Sequence, residues 1–131
     1  MTVTENLDLV RRGYAAFSAG NAAGLKAVFS SDITHLVPGS SPMSGAFKGT
    51  ESVLGLYGQL AELSDGTMAV DLETVMSDGG DRVIAIHTST AERNGTSLTQ
   101  REALLFTISD GKVVEIQDFF EDIEANDQFW S

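Results

Sequence analysis

Cysteine is absent from this 131-residue sequence, which excludes disulfides, zinc–thiolate clusters and a thiol nucleophile and leaves stability to apolar burial. That lack fits a reducing compartment, so the cytoplasm is the expected location. Proline occurs only twice, at Pro38 and Pro42, which confines the strongest chain breakers to one short segment. Basic residues are also few. Eight Lys and Arg stand against 19 Asp and Glu, for a formal charge of −11, a balance that repels phosphate backbones and anionic lipid surfaces alike. Neither nucleic acid nor a membrane is an expected partner. No apolar run approaches spanning length, and Met1-Thr2-Val3-Thr4-Glu5-Asn6 has no basic start leading into an apolar stretch, so no leader is expected. The only two histidines stand far apart with no ligand-like spacing, and no glycine-rich loop links a strand to a helix. No metal and no cofactor are therefore expected.

What remains is enough for one domain over residues 1–131, a length that buries roughly two-thirds of the unfolded surface. Leu7, Val10, Tyr14 and Phe17 recur at helical spacing and predict a helix ending near Gly20. Asn21 is placed to cap a second helix carrying Leu25, Val28 and Phe29 inward. From Asp32 the period becomes two, with Ile33, His35 and Val37 on one side, until Pro38-Gly39. The segment to Gly49 reads as an ordered loop, and Thr50 as the cap of a third helix with Val53, Leu56, Tyr57 and Leu60 buried. The second half reads as strands only, at Thr67 to Met76, Arg82 to Arg93, Ser97 to Ser109 and Lys112 to Phe120. Asp78-Gly79-Gly80-Asp81, Asn94-Gly95 and Asp110-Gly111 form the turns between them. Strands this long twist and bend, so three helices against the concave side leave a conical space. The expected class is α+β: a cone-shaped barrel of strongly curved antiparallel sheet packed on three N-terminal helices and enclosing a pocket. The acidic tail closes with Phe129 and Trp130, which are expected to dock on the body.

Helix, helix, short strand, helix and a long four-stranded meander, in that order, resemble the nuclear transport factor two superfamily, in its SnoaL-like branch. The runs that carry the likeness are Tyr14-Ala15-Ala16-Phe17-Ser18-Ala19-Gly20-Asn21, Phe29 through Gly39, the Gly45 to Gly49 turn, and Gly111 through Asp122. The resemblance implies a cone-shaped pocket and often a homodimer. Its implied functions run from ketosteroid isomerisation and polyketide cyclisation to epoxide hydrolysis and simple binding. One scaffold hosts many sites, so the chemistry has to come from the residues.

Asp118 alternates with Val114, Ile116 and Phe120, a carboxylate on a hydrocarbon face, where desolvation would tune it toward general acid–base work. The bland reading is a partly wet strand end or a hydrogen bond to a neighbouring histidine. His35, between Ile33 and Val37, is read as pocket-lining, the direction the resemblance implies for a histidine two residues before the proline–glycine pair's strand end. His87 shares one side of its strand with Val83, Ala85, Ser89 and Ala91, a side that periodicity leaves open and the resemblance turns inward. Limonene epoxide hydrolases have an arginine near the His87 position and an aspartate near Ser89. Only the aspartate matching Asp118 is kept here, so a His87–Asp118 pair is the expected catalytic unit. The ketosteroid isomerase constellation is not matched either, since Tyr14 is one helical position off and the other places fall near His35 or Leu36 and near Leu104. Tyr14 and Tyr57 lie in apolar stripes, where the favoured reading is core packing with the hydroxyl reaching a partner at the edge, and the alternative is a hydrogen bond that orients a ligand oxygen. Arg101 and Glu102 are adjacent and so point to opposite faces; the register that the resemblance implies turns Glu102, with Leu104 and Phe106, toward the interior or its rim and Arg101 outside. Both sheet faces look partly apolar, and the outer one is expected to pair with a second copy. The expected function is a pocket for a small apolar organic molecule with scope for cofactor-free isomerase, cyclase or hydrolase chemistry. The alternative is a ligand-binding or interaction protein without turnover.

Overall fold

The computed structural model describes residues 2–131 and contains, in chain order, α1 (Val3–Ser18), α2 (Ala22–Val28), β1 (Phe29–Val37), β2 (Gly45–Lys48), α3 (Thr50–Leu63), β3 (Ala69–Ser77), β4 (Arg82–Arg93), β5 (Thr96–Ser109), β6 (Lys112–Phe120) and α4 (Ile123–Trp130). The class is α+β, with one six-stranded sheet in the order β2-β1-β6-β5-β4-β3. The sheet curls without closing, so the expected barrel is an open cone. The physical reason is that β2 and β3 stand at opposite ends of the strand order and do not pair. Curvature comes from register shifts at Phe29/Thr34, Leu72/Thr74 and Thr107/Ile108, since each bulge bends its strand and raises the local twist.

Three further expectations are corrected. The sheet is mixed, because β1 runs parallel to β6; the long connection between them, through β2, α3 and β3–β5, supplies the crossover that parallel strands need. The Gly39–Gly49 segment is not all loop, since β2 pairs with β1 from Thr34↔Lys48 to Val37↔Gly45; four residues are too few to show a period. The chain also ends in a fourth helix, α4, capped by the Asp122 side chain accepting from the Ala125 amide. Its residues Asn126, Phe129 and Trp130 are buried, so a segment read only as a docked acidic tail is an amphipathic helix.

Local chemistry explains the element boundaries. Thr2 and Glu5 form a reciprocal capping box on α1, and Asn21 accepts from the Gly24 amide at the start of α2. Thr50 does not cap α3: that place is Gly49, at φ +89, and the Thr50 hydroxyl instead donates to the Ser30 carbonyl at 2.9 Å. Asn94-Gly95 and Asp110-Gly111 all have positive φ, the backbone that two-residue hairpins require.

The main core lies between α1, α2, α3 and the concave sheet face, where Ile33, Val53, Val83 and Val113 are fully enclosed; each such side chain contributes roughly 1.5–3 kcal/mol. Val113, and not Val114, shares the inner face with Ile116, because the shift at Thr107/Ile108 pairs Ile108 with Val113 and leaves Val114 out of phase. A second cluster of Val37, Met43, Leu56, Ala91, Phe129 and Trp130 packs α4 onto the body. That helix is tied down at several points. Arg93 Nη1 donates to the Phe129 and Ser131 carbonyls at 2.9 and 2.8 Å, and the Ser40 amide donates to Asp127 at 3.1 Å. Gly39, at φ +103, lies against the Asp127 carboxylate, where any side chain would collide.

Candidate active site

Between the two clusters lies a cavity of about 110 Å³. All the residues proposed for the site from the sequence border it: His35, Ile116, Asp118 and Phe120 from β1 and β6, His87, Ser89, Glu102, Leu104 and Phe106 from β4 and β5, and Tyr14 and Tyr57 from α1 and α3. Hydrocarbon and aromatic groups make up most of the wall. The polar groups form two strings.

His87 and Glu102 are direct register partners across β4 and β5, and His87 Nε2 lies 3.3 Å from Glu102 Oε1. The other ring nitrogen, Nδ1, lies 2.6 Å from the Tyr14 hydroxyl, whose ring meets the imidazole edge-on. His35 repeats the arrangement on the parallel side of the sheet, with Nε2 at 2.8 Å from Asp118 Oδ1 and Nδ1 at 2.9 Å from the Tyr57 hydroxyl. Both histidines are almost fully enclosed, at 4% and 3% exposure for His35 and His87, and Asp118 is at 8%. A carboxylate only accepts, so in each string Nε2 carries the proton that faces it; a neutral ring then accepts at Nδ1 from the tyrosine O–H.

The expected His87–Asp118 pair is therefore not formed. Asp118 bonds His35 and His87 bonds Glu102, because His87 faces Glu102 in the ladder while Asp118 stands beside β1. The tyrosines follow the packing reading, with each hydroxyl on a protein partner. Each commits its single hydroxyl proton to a histidine and so orients that ring, leaving none for a ligand oxygen. Burial, followed by the nearby Asp118 and Glu102 charges, pushes the Tyr14 phenol well above its ordinary value. Burial, then Asp118 and Tyr14, does the same to Tyr57. Both hydroxyls stay protonated and available as donors.

Asp118 faces Leu104 and Glu102 faces Phe120 in the β5–β6 ladder, so the carboxylates are diagonal neighbours on one face, roughly 7–8 Å apart at Cα. Neither makes a second hydrogen bond among the described residues. The site thus offers two proton-accepting oxygens against an apolar chamber, each backed by a histidine. Among the described residues, no group of three or more His, Cys, Asp or Glu is arranged to hold a metal ion.

Sequence reasoning missed Met43, Met68, Leu98, Asn126 and Trp130 as parts of the wall. Trp130 carried a signal, an aromatic in an acidic tail, and the helical spacing of Asn126, Phe129 and Trp130 could have found the rest of α4. Met43 sits in an aperiodic loop and carried none.

A family model described as SnoaL-like domain matches residues 10–116. An uncharacterized protein of Mycobacterium tuberculosis is 40% identical over 131 residues, covering 100% of both chains. Among solved structures, Bal32a from a soil-derived mobile gene cassette is 36% identical, with 98% of each chain covered and a TM-score of 0.94. TerC co-crystallized with polyporic acid shares the fold at 21% identity and TM-score 0.84, over 95% of this chain and 97% of that one.

Proposed function

The chain belongs to the SnoaL-like domain family, within the nuclear transport factor two-like superfamily, and from that premise we propose that it binds a small, mostly apolar organic molecule in the cone and carries out acid–base chemistry on it, of isomerase, cyclase or hydrolase type. The observation that carries this reading is Asp118, 8% exposed in a hydrocarbon-walled cavity, with one oxygen on His35 and the other without a hydrogen-bond partner among the described residues. Such an oxygen suits removal of a carbon-bound proton, while His35 and Tyr57 hold the carboxylate in one orientation. Glu102, on His87 and Tyr14, is a second proton site on the same wall. The co-crystallization of TerC with polyporic acid is a precedent for a small organic molecule on this scaffold. No cofactor is called on. The outer sheet face, with Met76, Ile84 and Phe119 exposed, suits a second copy of the chain, which sedimentation at micromolar concentration tests.

The test of turnover uses cyclopentanone in D2O, with exchange of its α-protons followed by NMR. Asp118 takes a proton from the α-carbon, leaving an enolate, and returns a deuteron acquired from solvent, so the ketone is regenerated with one C–D bond. The expected result is exchange faster than in buffer, lost by about 100-fold or more in Asp118→Asn. Saturable binding in the cavity without exchange favours the ligand-binding reading, and neither binding nor exchange counts against both.

A further inference from the structure

The cavity's charge is one-sided. Asp118 and Glu102 both border it, whereas no lysine or arginine does. Most of the chain's cations are engaged away from it: Arg11, Lys26, Arg82 and Arg101 pair with surface carboxylates, Arg93 holds the carbonyls of α4 and Lys112 donates to the Ala27 carbonyl. In each string the hydrogen bonds are complete with a neutral histidine, the tyrosine O–H donating to Nδ1 and Nε2–H donating to the carboxylate. A string bonded in this way carries one negative charge. The two like charges border one chamber with no cation between them, and a cation entering it is attracted by both. The walls add aromatic faces from Phe17, Phe29, Phe106, Phe120 and Trp130, which attract a cation a second way. A net charge of −11 on the chain steers cations in and anions away.

Resting on the pocket reading above, we infer that the ligand bears a protonated nitrogen: an apolar body with an ammonium head set between the unpartnered oxygens of Asp118 and Glu102. Carboxylates and phosphate esters are the wrong class for this chamber. A neutral alcohol of the same shape can bond one carboxylate, but it relieves neither charge. The two oxygens are not surface features, because Asp118 is 8% exposed and the Glu102 side chain 10%. Burial of that kind makes the charge of the guest decisive.

Three near-isosteric probes separate the classes: cyclopentylammonium, cyclopentanol and cyclopentanecarboxylate, each titrated into methyl-labelled full-length protein. Shifts of the Ile116 and Leu104 methyl groups, both on the cavity wall, report occupancy. The ammonium probe is expected to bind about tenfold tighter than the alcohol, since hydrogen bonds to a charged partner are roughly twice as strong, and the carboxylate is expected not to bind. In the Asp118→Asn, Glu102→Gln double variant the two affinities should converge while the alcohol still binds. The variant's own methyl spectrum reports its fold, and the single variants, each expected to lose part of the preference, carry the test if the double one is unfolded. Wild-type protein that takes the alcohol as tightly as the ammonium, or a preference that persists without both carboxylates, overturns the inference and leaves the pocket standing. Failure of all three probes to move those methyl groups removes the pocket reading and the inference together.

Discussion

The two strings share an order, tyrosine to histidine to carboxylate, and differ in how firmly the chain holds them. Tyr57–His35–Asp118 closes with bonds of 2.9 and 2.8 Å, using a short carboxylate on the parallel pair of β1 and β6. Tyr14–His87–Glu102 has a tighter tyrosine bond of 2.6 Å and a looser carboxylate bond of 3.3 Å, on a side chain one carbon longer. Asp118 has fewer rotamers to lose and a well-formed bond, so it is the more firmly held carboxylate. Glu102 keeps more rotamer freedom. A sheet face can thus place two chemically similar groups and give them different mobility by side-chain length alone.

That contrast can be broken most forcefully at the histidines. His35→Ala strips the hydrogen-bond partner from Tyr57 and from Asp118 together, so urea unfolding should show a loss of about 2–4 kcal/mol. His87→Ala also frees a tyrosine, Tyr14, but should cost less because the carboxylate bond it gives up is the longer one, at 3.3 Å against 2.8 Å; an equal or larger loss would erase the distinction. At the carboxylates, Asp118→Asn keeps an acceptor for His35 but loses the charge assistance, an expected cost of about 1–2 kcal/mol, with Glu102→Gln below about 1 kcal/mol. Tyr14→Phe and Tyr57→Phe should each cost about 1 kcal/mol, the net worth of one hydrogen bond.

The tyrosines also set an alkaline limit. Their folded-state values lie above the ordinary one, so the native state holds these protons more tightly than the unfolded chain. The associated stability is whole below about pH 10 and declines as pH rises above it. Tyr14 and Tyr57 are the only tyrosines in the chain, so ultraviolet absorbance of tyrosinate reports on them alone. It should appear only together with unfolding between about pH 10 and 12, and a free titration near pH 10 in folded protein would show the hydroxyls to be wet.

Much of the fold was legible in the sequence because its signals are local. The turns Asn94-Gly95 and Asp110-Gly111 demand positive φ, and β4 and β5 end where the turn residues stand. What escaped depends on partners distant in sequence. β2 exists because β1 offers it an edge, and the phase change at Val114 follows from a shift against β5. The site shows the same division. Strand alternation put His35 and Asp118 on apolar faces, and the register that the resemblance implies added Glu102. Which histidine meets which carboxylate depends on strand order, and β1 lying next to β6 is not written in any local run.

The most direct measurement is long-range ¹H–¹⁵N correlation of the two imidazole rings in the folded protein, at about pH 9, where an ordinary histidine is neutral. Protonated Nε2 and bare Nδ1 on both rings is the predicted pattern, with each proton in slow exchange with water. A proton on Nδ1 in either ring, with Nε2 bare, would mean that the carboxylate is not its partner and that the paired strings do not exist.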